Sequence, residues 1–174
     1  MFKPNRPLTL IYRLSMRWIW IDKFIEFESG KRAVALKNVT MAEDHVHDHF
    51  PHFPMMPEAL MIEAMAQTAG ILVGQANGFK EKVILAKVRN ATFHHYVVPG
   101  DTILIETEIE SIANEAASTT GKITRGETLI AEVDLMFSHV DQNLAGKKFP
   151  EENFVMTDLF EVVLRDLAMS GRAK

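Results

Sequence analysis

Asp48-His49-Phe50-Pro51-His52-Phe53-Pro54-Met55-Met56-Pro57-Glu58-Ala59-Leu60-Met61-Ile62-Glu63-Ala64-Met65-Ala66-Gln67 divides into two halves that fold by different rules. In the first half, Pro51, Pro54 and Pro57 each remove a backbone donor and press the preceding residue into extended geometry. The second half has no proline after Pro57, which suits a first helical position, and the spacing predicts a helix over 57–76. Ala59, Leu60, Met61, Ile62, Ala64, Met65 and Ala66 cover every face of it, which makes it a buried helix. Glu58, Glu63, Gln67 and Gln75 interrupt it too often for a good membrane span. The reading is one central helix wrapped by the rest of the chain.

Outward from that helix the chain is strand-like. Residues 18–28 are rich in aromatic and β-branched types, Glu28-Ser29-Gly30-Lys31 reads as a turn, and 32–39 alternates as a hairpin partner. Beyond Asn77-Gly78, a good helix stop, four more strands are predicted over 83–92, 102–111, 116–124 and 128–138. No βαβ alternation appears, so the class is α+β with an antiparallel sheet. Residues 1–20 carry Lys3, Arg6, Arg13 and Arg17 without an acid. Their apolar runs are too short and broken for a targeting peptide, so they read as an arm of a cytoplasmic protein. Residues 157–169 form an amphipathic pattern, an extra C-terminal helix.

Composition bounds the chemistry. The 174 residues fit one domain with a real core. There is no cysteine, which removes disulfides, thiolate metal sites and a cysteine nucleophile. The net charge of -4 argues against nucleic acid as the partner.

Candidate chemistry gathers at the loop. His45, His47, His49 and His52 lie there with Asp44 and Asp48. In an extended segment His45, His47 and His49 point one way, a possible metal face that still lacks a distant ligand. His94-His95 on a strand point to opposite faces. The stronger pairing is one imidazole as base with Glu63, a carboxyl in apolar company that must be paired or take up a proton. Glu63 and Gln67, four apart, share a helix face. The N–H groups of Glu58 and Ala59, in the first turn behind Pro57, have no intrahelical acceptor and suit a carbonyl oxygen that gains charge. Base, oxyanion site and acid together describe removal of a proton α to a carbonyl with loss of a β-leaving group.

These residues closely resemble the signature of the (3R)-hydroxyacyl-[acyl-carrier-protein] dehydratases of fatty-acid synthesis: His49-Phe50-Pro51, Pro54, Met56-Pro57, Leu60, Glu63-Ala64 and Ala66-Gln67 fall at the family spacing. Ile21-Asp22-Lys23, Gly30-Lys31-Arg32 and Lys37-Asn38-Val39-Thr40 look like its opening hairpin, and Phe93 with Val98-Pro99-Gly100-Asp101 like its later strand and turn. The resemblance implies a hotdog domain over 16–138, with an arm at 1–15 and an extension at 139–174. It implies His49 as base and Glu63 of the partner subunit as acid, with Pro57, Glu58, Ala59 and Gln67 on the substrate side. It further implies a phosphopantetheine-linked acyl chain on acyl carrier protein, a homodimer or trimer of dimers, and no metal or cofactor. Two positions depart from the family, Asp48 and Glu58, where it has glycine. Glu58 places a carboxylate beside the amide expected to hold the thioester carbonyl. An acyl-thioesterase of the same fold and a non-catalytic acyl-binding module are the other readings.

Overall fold

The computed structural model describes residues 19–140, 143–144 and 147–148. Its elements are β1 (Lys23–Glu28), β2 (Arg32–Asn38), α1 (Asp44–Asp48), α2 (Glu58–Ala76), β3 (Lys82–Phe93), β4 (Thr102–Ile112), β5 (Ala116–Arg125), β6 (Thr128–Val140), β7 (Asn143–Leu144) and β8 (Lys147–Lys148). The arm at 1–15 and the helix expected over 157–169 lie outside the described residues.

Alternating burial on the strands makes one face for α2. On β4, Ile103, Ile105 and Thr107 are buried, while Glu108 and Glu110 are exposed. The six long strands form one antiparallel sheet in the order β1-β2-β4-β5-β6-β3. It wraps α2, whose Met61, Ala64, Met65, Ala69 and Leu72 are sealed from solvent. This is the hotdog arrangement. Gly121 on β5 marks a close approach: a Cβ there would overlap the Met65 sulfur and lie 3.0 Å from the Glu106 carbonyl oxygen. Any larger residue there would have to displace the end of the Met65 side chain. Glu58–Ala76 is long and apolar enough to cross a membrane, but 61% of it is buried within the protein, as fits the core helix of a sheet.

Three details differ from the sequence reading. The first strand begins at Lys23 rather than at residue 18. Before it, the Asp22 N–H donates to the Leu36 carbonyl at 2.7 Å and the Asp22 carboxylate accepts from the Asn38 backbone N–H at 2.7 Å and its side-chain amide at 2.9 Å, so a side chain reinforces the backbone bond there. Pro57 is the N-cap of α2, not its first turn. Its ψ of 141° is extended, and its carbonyl accepts from Leu60 and Met61. The segment around His45 and His47 is the short helix α1, not extended chain.

Candidate active site

The prolines shape the entrance to α2. Phe50 and Phe53 exchange backbone hydrogen bonds of 3.4 and 2.9 Å around Pro51-His52, a tight turn that proline favours. The His49–Phe50 peptide is cis. The Met56 N–H then donates to the carbonyl of the fully buried Val97 at 2.8 Å, pinning the loop to the segment after β3. Phe53 meets Tyr96 from that segment edge-to-face, centroids 5.4 Å apart.

Between these two segments lies an open cleft of about 320 Å³, lined by His49, Phe50, Phe53, Met55, Glu58 and Tyr96. Phe50, Phe53 and Tyr96 are large apolar groups left exposed there, while Met55 is buried beneath. An apolar wall with one imidazole and a helix N-terminus is a setting for a mostly apolar ligand carrying one polar reacting group. The amides of Glu58 and Ala59 have no acceptor among the described residues, since Leu60 and Met61 are the first to bond back, to Pro57. The Glu58 carboxylate, at the same helix end, is favourable to the dipole.

Glu63 is absent from that cleft lining. Five residues along a helix turn the side chain by roughly 140°, so Glu58 and Glu63 project in different directions. Glu63 is half-buried and accepts a hydrogen bond from Nε2 of Gln67 at 2.9 Å. The Oε1 of Gln67 accepts from the backbone N–H of Trp20 at 2.8 Å. One chain thus brings His49 and Glu58 to one cleft, with Pro57 and Ala59 as the chain neighbours of Glu58, and separately joins Glu63 and Gln67.

The other histidines are dispersed. Helical geometry turns His45 and His47 to different sides, so the shared face expected of His45, His47 and His49 does not form. Among the described residues no group of three His, Asp or Glu side chains is close enough to hold a metal ion. His45 is held below its ordinary value of 6.5, first by burial; Lys37 and His49 lower it further against the opposing Glu43 and Asp44. His94 and His95 lie past the end of β3, whose pairing stops at Phe93↔Ala131, so strand alternation does not apply to them. His94 instead places Nε2 3.1 Å from a Glu132 carboxylate oxygen.

The sequence reading passed over the anchor beneath the loop. Lys37 is 5% exposed. Its Nζ donates to Oε1 of Glu43 at 2.5 Å and to the Asn38 carbonyl at 2.7 Å, with Asp22 3.7 Å away. The signal was present: Lys37 shares the inward phase of β2 with Ala33 and Ala35, and a lysine there requires a buried partner. Trp20, Phe53 and Tyr96 were also missed; their partners are set by tertiary contact alone.

Residues 14–134 match the model of the FabA-like domain family. The chain is 38% identical over 125 residues to a 3-hydroxyacyl-[acyl-carrier-protein] dehydratase FabZ of Listeria monocytogenes serotype 4b, covering 71% of this chain and 87% of that protein. It is 40% identical over 134 residues to the FabZ of Caldanaerobacter subterraneus subsp. tengcongensis, covering 76% and 95%. Among solved structures it is similar to the dehydratase heterocomplex ApeI:P of Xenorhabdus doucetiae, with a TM-score of 0.60 at 16% identity, covering 72% of this chain and 85% of that one.

Proposed function

Because this chain belongs to the FabA-like family and its FabZ relatives are 3-hydroxyacyl-[acyl-carrier-protein] dehydratases, we propose that it is such a hydro-lyase, with His49 as its base and Glu63 of the partner subunit as its acid. The substrate is a (3R)-3-hydroxyacyl thioester on the phosphopantetheine arm of acyl carrier protein, and the product is the trans-2-enoyl thioester. The observation that carries the site assignment is that His49 and the free amide end of α2 open onto one cleft.

The thioester oxygen lies against the N–H groups of Glu58 and Ala59, behind the stiff Pro57. These donors and the helix dipole favour the negative charge that grows on it. The His49 imidazole takes the proton from C2. The C–H electron pair becomes the C2=C3 bond, and the C3–O bond breaks. The protonated carboxyl of Glu63 gives its proton to the departing hydroxyl, which leaves as water. Both groups then reset by proton exchange with solvent. Gln67, placed on the substrate side by the sequence, reaches the substrate through Glu63.

A second copy of the chain supplies what one copy separates. Glu63 turns away from its own chain's cleft, which supports a composite site. Among the described residues, edge strand β3 pairs only with β6 and leaves Leu85 and Val88 exposed, an edge suited to pairing with another copy. A homodimer, or a trimer of dimers, follows from this reading, with the dehydratase domain over 16–138. The absence of cysteine leaves no stability dependent on an oxidising compartment, which suits the cytoplasm.

The test is an assay of purified protein with crotonyl and 3-hydroxyacyl thioesters on acyl carrier protein. Interconversion of the two supports the dehydratase reading. Thioester hydrolysis alone would replace it with a thioesterase, and binding without turnover with a non-catalytic module.

A further inference from the structure

A chain of contacts outside the cleft joins His49 and Glu63 of one chain. Trp20 precedes β1 and packs, part-buried, on the core. Its indole meets the His45 imidazole edge-to-face, with centroids 5.0 Å apart and planes at 73°. The His45 carbonyl accepts the His49 N–H at 3.1 Å, so the position of His45 sets that of the base. In the other direction, the Trp20 N–H donates to Gln67 at 2.8 Å, and Gln67 donates to Glu63 at 2.9 Å.

Gln67 is only 7% exposed, so solvent is a poor substitute for either partner. Its amide has one productive orientation: the oxygen must face the Trp20 N–H and the NH₂ group the Glu63 carboxylate. The backbone position of Trp20 therefore decides how Glu63 is presented, and the indole, wedged against His45, decides the backbone position. Resting on the dehydratase reading, we propose that Trp20 is a positioning residue that holds both His49 and Glu63 of its own chain, through His45 on one side and Gln67 on the other. With composite sites those two groups serve different sites, so each Trp20 supports both.

The test compares Trp20→Ala, Trp20→Phe and Gln67→Glu in the full chain. Trp20→Ala should keep the oligomer and KM within about threefold and lower kcat by about 10–100-fold, the scale of a small misplacement of reacting groups. Trp20→Phe, which keeps an aromatic edge for His45, should recover most of the loss. Gln67→Glu keeps an acceptor for the Trp20 N–H but offers Glu63 a carboxylate in place of a donor. It should lower kcat and move the limb of the rate–pH profile set by Glu63 upward, which loss of packing alone would not do. A folded Trp20→Ala protein with wild-type kcat and pH profile overturns the proposal, as does Trp20→Phe no better than Trp20→Ala. If Trp20→Ala does not fold, His45→Ala removes the same ring contact from the other side, and wild-type kcat there overturns it. Carbon NMR of the Glu63 carboxyl and nitrogen NMR of the His49 imidazole separate this tie from the activity itself. Both signals should move in Trp20→Phe or Trp20→Ala even in a protein that turns over no thioester, and unmoved signals refute the tie.

Discussion

In α2, Met61, Ala64, Met65, Ala69 and Leu72 are closed to solvent, whereas from His47 to Phe53 every side chain is exposed. The first region is held by burial, which is spread over many contacts and hard to lose at one place. The second is held by a few ties: Lys37 to Glu43, the His49 N–H to His45, Met56 to Val97, and Phe53 against Tyr96. Segments held this way open at lower free energy than the core. The difference teaches that the loop carrying His49 is held by fewer ties than the body of α2, so substitutions in the two regions should fail differently.

The largest effects should come from the active groups. His49→Ala and Glu63→Gln should each lower turnover by about 10²–10⁴-fold with little change in melting temperature. Mixing the two inactive proteins under subunit exchange should regain activity, because some dimers then hold one intact site. A mixture that never exceeds its parents despite proven exchange breaks the composite site. His47→Ala and His52→Ala should stay within a few-fold of wild type, and activity lost on chelation and regained with zinc would reverse that assignment.

Gly121→Ala tests the body. The added methyl group overlaps the Met65 side chain and crowds the Glu106 carbonyl. It should cost about 1–3 kcal/mol of stability in chemical denaturation while the folded fraction keeps its rate. Equal loss of rate and stability would show that the two regions are not separable.

Glu58→Gly lies at their junction. Loss of the charge–dipole contact should cost about 0.3–1 kcal/mol. The rate should rise, because bulk and negative charge leave the carbonyl site while the N–H remains. Glu58→Gln separates charge from bulk. A well-folded Glu58→Gly protein slower than wild type would make the carboxylate part of the mechanism.

The smallest effect concerns pH. Burial holds His45 below 6.5, so the folded state prefers the neutral imidazole. Its contribution is full above pH 6.5, the unfolded value, and is lost as pH falls through the lower folded value. Melting temperature should therefore drop on acidification over that window, and His45→Phe should flatten this part of the curve. An unchanged slope in His45→Phe would assign the acid sensitivity to other groups.

Periodicity made the body legible. A helix apolar on all sides and strands alternating inward and outward are patterns set by neighbours in sequence, and they gave α2 and the sheet to within a few residues. The prolines and the His49-to-Glu63 spacing marked the candidate site for a local reason too, since backbone restriction and family signature are both written along the chain. What the sequence left open are contacts across long separations. Trp20 bonded to Gln67 and edge-on to His45, and Phe53 against Tyr96, join residues whose patterns do not refer to one another. Tertiary structure also corrected α1. A run of alternating histidines reads as extended, but the Val46 side chain is buried, and a helical turn delivers it to the core. That Glu58 lines the cleft while Glu63 does not was likewise decided by the tertiary structure, because spacing gives the angle between two side chains on α2 but not which of them faces the loop.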